Sequence, residues 1–318
     1  MRAQKIRLAR PSIALNSYYF PSSNLIDSTG SYSNENAQLN IYLPVLSHFS
    51  QKDSSNSSSY LQVSATHSVY FSHPQISSLI QSQNLLGAAL GLSSFWVKNK
   101  KNIFLISFNS LSRNDETTIT NPSFRYSGSA FYKRYFTPGF SCHFGMVYSY
   151  VIGRAVLLPA FGLSINTGKR SRLNINFPNK IYFVQKLGKS FFLNAYLKPY
   201  GSYNYISNES GYLSPSTYYL RQRENHAGLA GTWKFNSRFL INGDLGFAFN
   251  RSFRIAEGLD NKSKTYYKSK IGNNFYAGIG FKYSFGKQKK LRAIDSKLTE
   301  DEKEELLNDP YLENSILD

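Results

Sequence analysis

Apolar side chains hold every second position of NNFYAGIGFKYSFG (Asn273–Gly286): Phe275, Ala277, Ile279, Phe281, Tyr283 and Phe285. Between them stand Tyr276, Gly278, Gly280, Lys282 and Ser284. Successive side chains of a strand point to opposite faces, so this segment has one apolar face and one small or polar face. That pattern suits a soluble sheet edge, or a barrel strand with lipid on one side and a wet lumen on the other.

Twelve or thirteen stretches repeat it. Leu39, Ile41, Leu43 and Val45 share a face, as do Leu61, Val63, Ala65, Val69 and Phe71. Phe140, Cys142, Phe144, Met146, Tyr148 and Tyr150 lie opposite Ser141, His143, Gly145, Val147 and Ser149. Arg172–Phe177, Phe191–Tyr205 and Phe239–Asn250 behave alike, with Gly and Ala recurring on the polar face. Leu85–Val97 and Asn102–Leu111 alternate less cleanly.

Backwards from the last strand, the connections are long (Ile255–Gly272), tight (FNSR), long (Ile206–Thr217) and tight (LGKS). Outer-membrane barrels alternate long external loops with short periplasmic turns in this way. Further back the order weakens: GKRS and TPGF are tight where loops should be external, Ser112–Asn121 is long where a turn should be, and Gln51–Ser59 falls outside. With Ser12–Tyr19 the strand total is thirteen, whereas single-chain bacterial barrels usually have an even number. The expected fold is therefore all-β: a transmembrane antiparallel up-and-down barrel of about twelve strands over residues 38–286. Residues 1–37 form a periplasmic or lumenal segment, and residues 287–318 a charged periplasmic tail, helical or disordered.

Composition agrees with strands. Aromatics make up 16% of 318 residues, charged residues only 18%. The mean hydropathy of −0.37 looks soluble, but alternation cancels the average in a barrel strand. No apolar run approaches the roughly 18 residues of a membrane helix. A lone cysteine, Cys142, excludes an internal disulfide and a cysteine metal cluster. The opening MRAQKIRLAR carries charge without an apolar core, so a signal peptide is expected to have been removed.

Net charge is +18 and uneven: six basic and nine acidic residues follow Gly286, leaving a body of net +21. Nucleic acid is not the expected partner, because no basic cluster lies beside exposed aromatics in a recognised motif. The basic turns (Lys98, Lys100, Lys101; Lys169, Arg170, Arg172; Lys262, Lys264, Lys268, Lys270) are instead expected to face outward and meet anionic lipid or lipopolysaccharide phosphates. In the tail, Thr299 and Glu302 have capping-box spacing, and a helix over Thr299–Leu307 could engage the barrel mouth or a periplasmic protein.

From Arg154 onwards the sequence resembles an uncharacterised family of bacterial outer-membrane β-barrels. The resemblance is carried by Pro159-Ala160-Phe161-Gly162, Asn176-Phe177-Pro178, Pro199-Tyr200-Gly201 and the run Gly246–Arg251. It covers the second half well and the first half only by pattern. It implies a barrel in the outer membrane, Phe285 as the terminal aromatic read by the barrel-assembly machinery, and no catalytic residues or cofactor.

If odd positions of Tyr218–Phe235 and Phe239–Arg254 face lipid, then Glu224, His226, Asp244 and Arg254 face the lumen, together with Arg125, Lys133, His143, Lys198 and Lys282. Buried charges must pair, so a salt-bridge network filling the lumen is one reading and a solute site or constriction the other. The basic excess predicts anion preference in a pore. A structural barrel without transport is the alternative. A lipid hydrolase using His67, His143 or His226 ranks last, since no serine near them has motif context. No metal site is expected.

Overall fold

Alternating segments flanked by turns pair with their neighbours in sequence, because a hairpin is the shortest route to satisfying a strand's backbone. The computed structural model describes residues 4–7, 10–27, 29–51, 58–76, 84–98, 101–115, 123–137, 139–149, 155–207, 217–258, 263–286 and 290–293. The strands are β1 (Gln4–Arg7), β2 (Ser12–Asn24), β3 (Ser31–Gln51), β4 (Ser58–Ile76), β5 (Leu85–Lys98) and β6 (Asn102–Asn114). Next come β7 (Phe124–Thr137), β8 (Phe140–Ser149), β9 (Val156–Gly168), β10 (Ser171–Phe177), β11 (Lys180–Lys186) and β12 (Phe191–Ser207). The last are β13 (Thr217–Lys234), β14 (Phe239–Ala256), β15 (Thr265–Ile271), β16 (Asn274–Ser284) and β17 (Lys290–Ala293).

Strands β2 to β14 pair in order, β14 pairs with β15 and then β16, and β16 returns to β2 with Ala277 opposite Tyr19 and Ser284 opposite Ser12. Since β15 and β16 are two pieces of one wall strand, the closed antiparallel ring has fourteen strands, two more than the sequence count. Ser12–Asn24, read from sequence as lying outside the barrel, is the strand that closes it. The miscount has a physical source: β10 and β11 have only seven residues each and share a tight turn, so two strands occupy the space of one. Of the tail, Lys290–Ala293 pairs with Gln4–Arg7 as a separate two-stranded ribbon. The expected helix lies outside the described residues.

The corrected count also repairs the loop order. TPGF, GKRS, LGKS and FNSR now share the end that carries both ring termini, and the connection after Asn114 joins the long ones at the other end. Gln51–Ser59 moves to the tight-turn end. Lys264, Lys268 and Lys270 lie at the long-loop end, while Lys98, Lys101, Lys169, Arg170 and Arg172 lie at the tight-turn end, which such barrels keep periplasmic. That reverses the orientation expected for the latter group; Lys100 and Lys262 lie outside the described residues.

The outer face carries an apolar belt that includes Leu15, Leu90, Phe144, Phe161, Leu229, Leu245 and Phe275. Leu245 is 69% exposed at mid-strand between Leu229 and Ala277. In bilayers, Leu245→Lys should destabilise the barrel by about 2–4 kcal/mol, the range for a cation on the lipid face near the midplane. Reversible unfolding in liposomes measures this, and an unchanged unfolding free energy would remove the belt assignment.

Candidate functional site

The strands are long enough for their upper ends to meet inside the ring. Leu25, Tyr32, Ile76, Leu85, Ile206, Tyr218, Leu220, Phe253, Ile255 and Ile271 form one buried apolar cluster there. These residues come from β3, β4, β5, β12, β13, β14 and β15 and the residue after β2, so the cluster roofs that part of the lumen. The ring is pinched to make it: Tyr205 of β12 pairs in parallel with Asn114 of β6, across the barrel. Asp115 holds the pinch by accepting the Ser207 N–H at 2.9 and 3.0 Å.

Beneath the roof lies a layer of buried charge. Arg251 donates from Nε to Glu224 Oε2 at 2.9 Å and from Nη1 to Ser23 Oγ at 2.9 Å. His226 Nε2 meets Glu224 Oε1 at 2.8 Å, and the His226 ring stacks on Tyr200 with centroids 5.2 Å apart. Burying a carboxylate requires such compensation, and Glu224 has a cation on one oxygen and an imidazole on the other. One level away, Tyr196 donates to Asp244 at 2.5 Å and takes a hydrogen bond from Tyr276. These rings lie across Gly228 and Gly246, where a Cβ would come within 2.5–2.9 Å of them. Glycine is needed there for close approach, not for backbone freedom.

Below and beside this layer runs a cavity of about 790 Å³. It extends from Arg10, Ser12, Leu240 and Lys282 at the end of the termini to Ser149, Asn176 and Asn179 at the top of the short β8–β11 wall. Among the described residues its charged lining is Arg10, Arg113, Lys133, Lys180, Lys198 and Lys282 against Asp244.

Of the residues singled out from sequence, Lys133, His143, Lys198, His226, Asp244 and Lys282 line this cavity. Lys133 stands opposite His143, and the His143 ring lies over Gly162. Glu224 is sealed in the layer above. Arg125 is buried in the upper wall, 5.2 Å from the Tyr219 ring.

Arg254 contradicts the sequence reading. Asn250 adopts φ 51°, and the β13–β14 register shifts between Arg223 and Asn225, marking a β-bulge. A one-residue slip sends every later side chain to the other face. Arg251, Phe253 and Ile255 therefore point inward, and Arg254 points outward. Its guanidinium donates to the Ser263 carbonyl at 2.7 Å. The residue missed was Arg251, and the available signal was Asn250, since asparagine tolerates the left-handed region. Arg113 and Lys180 were also missed.

The profile of a family described as a domain of unknown function, DUF6268, matches residues 1–284. No curated protein matches the chain. Among solved structures, the COG4313 outer membrane channel from Pseudomonas putida F1 is similar at a TM-score of 0.47 and 8% identity, over 89% of this chain and 98% of that one. The KdgM porin is similar at 0.39 and 9%, over 86% and 99%. The beta domain of the Bordetella autotransporter BrkA is similar at 0.34 and 8%, over 87% and 100%.

Removing Arg251 leaves Glu224 buried with only the His226 imidazole as partner among the described residues. Arg251→Ala should destabilise the barrel by about 3–5 kcal/mol. Arg254→Ala, on the outer face, should cost under about 1 kcal/mol. Guanidinium unfolding of the two variants in detergent measures the contrast, and equal effects would undo the bulge assignment.

Proposed function

We propose that this chain, which belongs to the DUF6268 family, is a passive or substrate-selective pore or transporter of the bacterial outer membrane with a basic lumen. The observation that carries the reading is the cavity lining, six cationic side chains against one carboxylate among the described residues. Like charges around a narrow aqueous passage lower the energy of an anion inside it and raise that of a cation.

A second reading, a structural barrel without transport, draws on the apolar roof, which closes the axial route on one side. Planar bilayers separate the two. The purified protein should conduct, with chloride more permeant than potassium. Lys133→Glu combined with Lys198→Glu should reverse that order. Silent bilayers would favour the structural reading, and cation preference in the unmodified protein would remove the anion selectivity.

Lipopolysaccharide contact narrows to one outer patch. Arg221, Arg254 and Lys268 stand directly opposite one another on β13, β14 and β15, with Lys264 and Lys270 beside them. Like charges in cross-strand register repel, and anionic head groups at the outer interface relieve this. Arg254→Glu should reduce the extra stability gained in anionic over zwitterionic lipid by about 1 kcal/mol or more, the scale for one cation at a charged surface. The difference in unfolding free energy between the two lipids is the measurement. Assembly by the barrel-insertion machinery through Phe285 and capture of a periplasmic protein by residues 287–318 remain part of the proposal.

A further inference from the structure

We infer that the barrel wall has a lateral opening between β9 and β12, above the β10–β11 hairpin, and that it passes anionic amphiphiles between the lumen and the outer leaflet. The inference rests on the pore reading above and gives it a route and a substrate class.

The first observation is length. A tilted transmembrane strand needs about 9–11 residues, yet β10 and β11 have seven each. At about 3.3 Å per residue and a tilt near 40°, seven residues rise roughly 18 Å, against an apolar band of roughly 25 Å. The Pro178-Asn179 turn therefore ends several ångströms inside the hydrocarbon. Apolar outward side chains continue past it on the neighbouring hairpin, where Leu157 stands opposite Tyr148.

The second observation is pairing. Above Phe161, residues Val156–Ala160 of β9 bond to β8 and have no partner strand on their other side among the described residues. Above Leu197, residues Lys198–Ser207 of β12 pair with β13, and among the described residues the only other pairing is the single Tyr205–Asn114 contact with β6. Two wall strands are missing between those edges. A proline stands on each side of the gap, Pro159 on β9, Pro178 at the hairpin tip and Pro199 on β12. Proline in a sheet is confined to edges and irregularities because it has no N–H to donate.

The third observation is what lies behind the gap. The upper part of β12–β13 leans into the barrel, so that Tyr219, on the outward-facing register of β13, meets Arg125 projecting inward from β7. Tyr203 on the outer register of β12 is buried, with the Arg221 guanidinium 5.7 Å from its ring. At the lower rim Lys180 and Lys198 lie over Tyr182 and Tyr196, and the cavity reaches Asn179, Lys198, Pro199 and Gly201. A cationic, tyrosine-rich recess opening at hydrocarbon depth suits an acidic head group inside and an alkyl chain outside.

The test uses a fluorophore on Asn179→Cys in a Cys142→Ser background, reconstituted in liposomes. Nitroxides on lipid chains should quench it, in addition to any quenching by iodide that enters through the lumen. Dodecanoate should bind at least tenfold more tightly than acetate. That preference should fall tenfold or more when two residues are added to each of β10 and β11, raising the tip. Gly201→Trp, filling the gap from β12, repeats the test should the lengthened hairpin not fold. Quenching by iodide alone, equal binding of dodecanoate and acetate, or an undiminished preference in both variants overturns the inference. Iodide-only quenching with a conducting wild type rejects the opening and keeps the pore. Lipid quenching with silent bilayers rejects the pore and keeps the opening.

Discussion

At membrane depth a strand edge must either be paired or line a wet cavity, and the structure follows from that constraint. Closure of the ring between β2 and β16 removes the edge that residues Ser12–Asn24 would otherwise create. The same constraint explains the upper end. Where β10 and β11 stop short, β12 has lost its outer neighbour, and its chain tilts across the lumen to meet β6. The Asp115 carboxylate then accepts the Ser207 N–H, a backbone donor just past that crossing. Pinch, roof and wall gap are thus three results of one short hairpin.

The pinch also sets the electrostatics. By covering the lumen with Ile206, Leu220, Phe253 and Ile255, it removes water from above Glu224. A carboxylate in that position is tolerable only with a fixed cation, and the bulge at Asn250 supplies one. Without the extra residue, Arg251 would face lipid and Phe253 and Ile255 would leave the roof. The local strain of one left-handed asparagine is small beside those losses, which is why the bulge persists. The lower cavity, away from the roof, carries its cations in a polar lining of serine and asparagine.

Alternation was legible because the period of two follows from strand geometry alone: the faces read for Phe140–Ser149 and for Asn274–Ser284 are the faces the structure has. The strand number was not legible to the last pair, since seven-residue strands joined by a two-residue turn carry little signal. Within the site, Glu224, His226 and Asp244 followed from parity, as no irregularity intervenes between them and the strand centres. Arg254 did not, because parity is only as good as the register, and a bulge leaves a single asparagine as its trace. Contacts between strands six apart in the ring, such as β6 with β12, have no periodic signature at all. The three proline motifs Pro159-Ala160, Phe177-Pro178 and Pro199-Tyr200 were visible in the sequence without their meaning. Only the fold brings them around one gap.

The roof bears directly on how any solute could cross. An apolar plug of interlocked Tyr, Phe, Leu and Ile side chains excludes water, and an ion entering it would lose its hydration with no polar group in exchange. Opening it requires separating β12 from β6 and exposing the cluster, a rearrangement that gives up packing along several strands at once. The cavity wall on the β7–β11 side needs no such rearrangement, because its polar lining already continues to Ser149, Asn176 and Asn179. The lower-energy path therefore bends away from the barrel axis toward the short wall. A barrel that kept a straight axial path would have no use for seven-residue strands, and one that kept no path would have no use for a lumen lined by lysine and asparagine.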